Sequence, residues 1–200
     1  MRVPPSATFG LAFLTMVFRA IAAPPDSTSP DHTLVVLSHS NHTVYEVDPA
    51  SGRILHEFAA QDQPHEAAIT GDGSTIFASL PAAAFVEIID ATTFREKGRI
   101  ESEYFKRSPQ PRRAGRNGAP ASPPNTSASP HGLALNNDGT KLYIGTENAD
   151  ISGVIVYDVK AAKVLKKIDL LLATIKIGRG PGFPLFSPDS TKLYVMEPTR

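Results

Sequence analysis

The stretch at residues 129–158, SPHGLALNNDGTKLYIGTENADISGVIVYD, holds three short strand patterns separated by turns. Gly132-Leu133-Ala134-Leu135 is a short apolar run. Asn137-Asp138-Gly139 predicts a tight turn, because Asn, Asp and Gly tolerate positive φ at little cost. Lys141-Leu142-Tyr143-Ile144-Gly145 and Gly153-Val154-Ile155-Val156-Tyr157-Asp158 follow as strands rich in β-branched and aromatic residues. Lys163-Val164-Leu165-Lys166-Lys167-Ile168 then alternates apolar and charged side chains, as an exposed fourth strand would.

The same grammar recurs on both sides. Pro64-His65-Glu66-Ala67-Ala68-Ile69-Thr70-Gly71-Asp72-Gly73 precedes Ile76-Phe77-Ala78, and Pro181 to Asp189 precedes Leu193-Tyr194-Val195. Asp72 lies 66 residues before Asp138, which lies 51 before Asp189. Third strands end alike, in Val44-Tyr45-Glu46-Val47-Asp48, Val86-Glu87-Ile88-Ile89-Asp90 and Val154 to Asp158. Asp48 and Asp90 are 42 residues apart, which gives the bare period; larger spacings are insertions. A period of roughly 40–45 residues with four strands per unit is what a β-propeller blade requires.

This pattern resembles the YVTN-repeat β-propellers: Pro-His or Pro-Gly, an apolar strand, Asn-Asp-Gly or Ser-Pro-Asp, Leu-Tyr-Ile or Leu-Tyr-Val, then Val-x-Val-x-Asp. That family belongs with the quinoprotein-amine-dehydrogenase-like and lactonase-type propellers. The resemblance covers about residues 33–197. It implies an all-β propeller, but hardly any particular activity, since such propellers include enzymes, binders and surface proteins.

Around this core, residues 1–23 read as a signal peptide. Arg2 precedes an apolar run from Phe9 to Phe18, and Ala20-Ile21-Ala22 offers small residues for cleavage. The run falls short of the roughly 20 residues needed to span a bilayer, so no membrane span is expected. Secretion is the expected localisation, extracellular or, in a bacterium, periplasmic or at the cell surface. Residues 24–32 form a Pro- and Ser-rich tail expected to be disordered. Lys+Arg and Asp+Glu both total 20, so net charge points to no nucleic acid. There is no cysteine and no tryptophan, which removes disulfides, covalent haem and a tryptophan-derived quinone.

Blade 1 (33–62) begins at the second strand of the repeat. Blade 2 (63–103) and blade 3 (130–170) are full, a linker follows at 171–180, and 181–200 starts blade 4. The expected architecture is thus an incomplete propeller of about three to three and a half four-stranded blades, thirteen strands in all, whereas rings usually hold about four to eight full blades. Truncation at Arg200 is the favoured expectation, with an arc completed by another chain as the alternative. Open propeller edges would favour self-association.

An insertion at 104–129 carries Lys106, Arg107, Arg112, Arg113 and Arg116 without an acidic residue in its basic stretch. It reads either as a solvated loop or as a basic lip, in which Arg112, Arg113 and Arg116 take an anionic ligand or a polysaccharide. Asn41-His42-Thr43 and Asn125-Thr126-Ser127 are sequons, which makes Asn41 and Asn125 expected glycosylation sites in a eukaryotic secretory pathway.

Propeller geometry places His65 and His131 at equivalent positions at the mouth of the central channel, each after a proline. The loop with His39 opens on the same face. His65, His131 and His39 are therefore the imidazoles available to a divalent metal, although Gly182 stands where blade 4 would supply another. His65, His131 and Glu66 are the acid/base groups available to a lactonase- or isomerase-type enzyme acting on a small oxygenated metabolite. No organic cofactor is expected: no nucleophile elbow, phosphate-binding glycine loop or dinucleotide fingerprint is present. The leading reading is a secreted binding module whose channel-mouth face takes a protein, glycan or small molecule, with the enzyme as alternative.

Overall fold

The computed structural model describes residues 32–105, 129–147, 153–169 and 183–196. The proposed signal peptide, the tail before residue 32, Arg112, Arg113, Arg116, Asn125 and the linker at 171–180 lie outside the described residues. Among those described, thirteen strands form four antiparallel sheets and no segment is helical. No helix among them is long and apolar enough to cross a membrane.

Blade 1 comprises β1 (Leu34–Ser38), β2 (Thr43–Val47) and β3 (Ile54–Ala59). Blade 2 comprises β4 (Ala67–Ile69), β5 (Thr75–Leu80), β6 (Phe85–Asp90) and β7 (Arg95–Ile100). Blade 3 comprises β8 (Ser129–Leu135), β9 (Lys141–Glu147), β10 (Gly153–Asp158) and β11 (Lys163–Asp169). A two-stranded sheet of β12 (Phe183–Phe186) and β13 (Leu193–Met196) follows. Each sheet is a simple meander, and the result is an incomplete β-propeller.

Side chains of a strand alternate between its faces, and a middle blade is covered on both. All six residues of β5 are accordingly buried. Ile76, Ala78 and Leu80 meet Val44 of blade 1, together with Phe85 and Ile89 of β6. Phe77 and Val86 face the other way and join Leu142, Ile144 and Ile155 of blade 3. The outer strands β3, β7 and β11 carry most of the exposed, charged positions. Phe105, at the expected start of the basic insertion, is buried in the blade 2–blade 3 core, with Tyr104 packed beside it.

Blade 3 meets the last sheet through Tyr143, whose ring stands edge-on to Phe186 at 4.8 Å between centroids. The Asn137 N–H also donates to Ser190 Oγ at 2.9 Å, linking two hairpin turns. Tyr194 holds the same repeat position as Tyr143 and is exposed. It pairs with Leu185 across β12 and β13, and Leu185 is exposed with it. Leu34 and Val36 are similarly exposed on β1.

The turns are as regular as the strands. Asp72 Oδ1 accepts from Thr70 Oγ1 (2.6 Å) and Ser74 N–H (3.0 Å), and Asp189 Oδ1 from Ser187 Oγ (2.6 Å) and Thr191 N–H (3.1 Å). These bonds hold both carboxyls down at about 2. Asp138 accepts from Thr140 N–H and Oγ1 in the same way. The next residue has positive φ in all three turns: Gly73 (71°), Gly139 (68°) and Ser190 (54°). At the ends of β2, β6 and β10, Asp48, Asp90 and Asp158 accept from backbone N–H groups just downstream.

Replacing Phe77 by Ala removes the largest fully buried side chain from the blade 2–blade 3 core. The expected cost is about 3–5 kcal/mol by urea denaturation, because the cavity cannot collapse between two sheets. Leu165→Ala, on an exposed position of β11, is expected to stay within about 0.5 kcal/mol of the wild type. Equal losses for the two variants would show that the blades do not depend on this packing.

Candidate functional site

First strands open the site. The pairing of β4 with β5 aligns Ala67 with Ala78, and that of β8 with β9 aligns Leu133 with Ile144. His65 and His131 each lie two residues upstream of these anchors and are equivalent by register. Both stand at an irregularity. Ser79 O accepts from the His65 N–H (2.9 Å), while the Ser79 N–H donates to Glu66 O (2.9 Å), so two residues face one. In blade 3 the register shifts between Pro130 and Leu133, a stretch that contains His131. Bulges of this kind re-aim side chains that would otherwise alternate. His65 and Glu66, neighbours in sequence, consequently lie on one side, with His65 Nδ1 3.6 Å from Glu66 Oε1.

The imidazoles of His65 and His131 are 4.0 Å apart between centroids and tilted by 46°. His39 stands edge-on to His65 at 6.3 Å. Its turn, residues 39–42, and the equivalent turn of blade 2 at 81–84 both contribute to one pocket. Both end in positive φ, at His42 (53°) and Ala84 (63°). Together these elements enclose a pocket of about 140 Å³ lined by His39, Gln63, His65, Pro81, Ala82 and His131. His131 is 5% exposed, whereas the side chains of His65 and Glu66 are 38% and 32% exposed. The site thus has one buried imidazole and two open groups.

A larger groove of about 530 Å³ runs between the outer strands β7 and β11. Its charged lining mixes Arg99, Lys163 and Lys166 with Glu101 and Glu103, so it offers neither a uniform field nor a converging set of reactive groups. The smaller pocket is where the chemistry gathers, and size is not the criterion. Asn41, the described sequon residue, is exposed on the 39–42 turn.

No protein-family model matches this chain, and no curated protein matches it. Solved structures do. Hydrazine synthase of Kuenenia stuttgartiensis aligns with a TM-score of 0.63 at 20% identity, covering 82% of this chain and 38% of that one. U3-55K and the RRP9 WD40 repeats each align at a TM-score of 0.49 and 14% identity over 68% of this chain. The chain spans little more than a third of each of these structures. The likeness is one of fold. It leaves the chemistry to the residues themselves.

Glu87 is a functional group that the repeat pattern did not single out. It lies on β6 between Phe85 and Ile89, facing blade 1, and is fully buried. Neither carboxylate oxygen has a hydrogen-bond partner of good geometry. Tyr45 and Ile155 occupy its register position in blades 1 and 3, so an acidic residue in an apolar column was the available signal. Desolvation, reinforced by Glu96, pushes its pKa up from 4.5 to about 7; the Gln61 backbone and Arg99 offset part of that.

Between pH 4.5 and about 7 the unfolded chain releases this proton while the folded chain keeps it. Stability therefore falls as pH rises through that window, and the loss is complete above it. The expected difference between wild type and Glu87→Gln is about 2 kcal/mol between pH 5 and pH 8, read from urea midpoints. Asp72 and Asp189, held at about 2, titrate below this range. Parallel pH profiles for the two proteins would show that Glu87 does not titrate in the interface.

Proposed function

We propose that this chain is a secreted YVTN-type β-propeller that acts as a binding module, taking its ligand at the channel mouth. One observation carries the reading: segments of three successive blades bring His39, His65 and His131 to a single pocket. A repeated Pro-His has a structural rationale within each blade. That rationale does not require an open pocket between the blades. At about 140 Å³ the pocket is smaller than the roughly 300–1,000 Å³ of drug-sized sites. It suits an ion, or the polar end of a larger ligand resting on the surrounding turns. Secretion draws support from the composition of residues 1–23 and from the exposed sequon at Asn41.

A second reading, the lactonase- or isomerase-type enzyme, is favoured by the 3.6 Å approach of Glu66 to His65. A carboxylate beside an imidazole is the pairing a general base uses. The two readings part on turnover.

Histidine-selective NMR of the full chain, titrated with monosaccharides, carboxylates and simple lactones, checks both. The expected result is shifts centred on His39, His65 and His131, with affinity reduced at least about tenfold in His65→Ala. The variant's unfolding midpoint is expected to stay close to the wild type's, because His65 is exposed. Shifts confined to His56, with His39, His65 and His131 unmoved, would defeat the channel-mouth reading. Hydrolysis of a lactone by the wild type, abolished in His65→Ala, would select the enzyme instead.

A further inference from the structure

We infer that His65, Glu66 and His131 form a binding site for a divalent first-row transition ion, zinc being the reference case; this rests on the pocket reading above and names its ligand class. One donor atom from each residue lies within 4.8 Å of the other two. Two imidazoles and one carboxylate are a donor set that zinc accepts when its fourth position stays open, and copper, nickel and iron(II) accept similar sets. Bonds of about 2.0–2.2 Å place tetrahedral donors about 3.3–3.6 Å apart. The three donors therefore have to draw in by about 1 Å, and side-chain rotation at His65 and Glu66 supplies that movement because both are partly open.

The backbone beneath the donors is fixed. His65 and Glu66 are both held to Ser79, through its backbone and through a bond from the Glu66 N–H to Ser79 Oγ at 3.1 Å. His131 lies within β8, whose ladder to β9 continues on both sides of the irregularity. Such a site has one buried anchor, two adjustable ligands and an entry path through the pocket. The pocket beside these donors is bordered by His39 and Gln63. A water molecule or the polar end of a ligand would complete the ion there.

The geometry also distinguishes this cluster from the other carboxylate–imidazole pair. His56 Nδ1 lies 2.7 Å from Glu46 Oε2, but that pair is on the surface between β3 and β2. No third metal-binding donor joins it among the described residues. His56→Ala is therefore the control.

The test is isothermal calorimetry of the full chain, without a polyhistidine tag, titrated with zinc chloride, and visible absorption with cobalt(II). The expected result is one ion per chain and a cobalt spectrum of four- or five-coordinate type. Zinc affinity is expected to fall at least about tenfold in His65→Ala and in Glu66→Gln, and to stay unchanged in His56→Ala. His131→Ala empties a buried position, so the two exposed variants decide the matter even if that protein fails to fold. Zinc binding that persists in His65→Ala and Glu66→Gln, or disappears in His56→Ala, overturns the inference. Repeating the histidine NMR after chelation separates the two levels. Organic ligands that still shift the three histidines, with no zinc bound, leave the pocket reading standing and remove the metal. Silence in both experiments removes both.

Discussion

Everything in this molecule depends on middle strands that are apolar on both faces. A β-sheet with one wet face can use polar residues on alternate positions, but β5 has no wet face. Ile76, Ala78 and Leu80 need blade 1, and Phe77 needs blade 3. A single blade would leave one of these faces in water, so blades are stable only as neighbours, as in other repeat architectures. The requirement also confines polar function. Residues free to vary lie on the outer strands, in the turns and at the entries to the first strands, and the histidine pocket is built from the last two. Glu87 is the exception, a carboxylate in the stacked interface, and the raised pKa follows from that placement.

Strand order and blade count were legible because hydrophobic alternation, the Asp-centred turns and the Val-x-Val-x-Asp endings repeat in register. The sequence pattern was less informative where tertiary pairing extends an element beyond its apolar run. β8 begins at Ser129, three residues before Gly132, since Ser129 and Pro130 pair with Glu147 and Thr146. A proline fits there because β8 is the edge strand of its sheet. Tyr194 holds the repeat position of Tyr143, and its ring is exposed among the described residues.

Backbone conformation was legible only where glycine announced it. Gly52, Gly73 and Gly139 have positive φ, as turn glycines should. Phe94 and Ala162 occupy the position of Gly52 in the next two blades, and Ser190 that of Gly73, with φ between 51° and 54°. A left-handed residue other than glycine costs about 1–2 kcal/mol. No local preference predicts Phe in such a position. The flanking ladders impose the turn, and Phe94 gives a reason to keep it there by packing into the blade 1–blade 2 core.

Repeats make a functional site hard to recognise, because each of its residues can pass for consensus. His65 and His131 hold the same register position, which a purely structural motif would also produce. Their surroundings differ: one is buried and the other open, and the next residue is Glu66 in blade 2 but Gly132 in blade 3. A consensus role would call for the same environment twice. Both histidines stand at a bulge, but only in blade 2 does the bulge bring a carboxylate to the histidine's side, since Glu66 stands where blade 3 has Gly132. A single acidic residue at one irregular pairing thereby adds a third donor to two repeated imidazoles. It does so without disturbing the apolar columns of β5 and β9, on which the stacking of the blades depends.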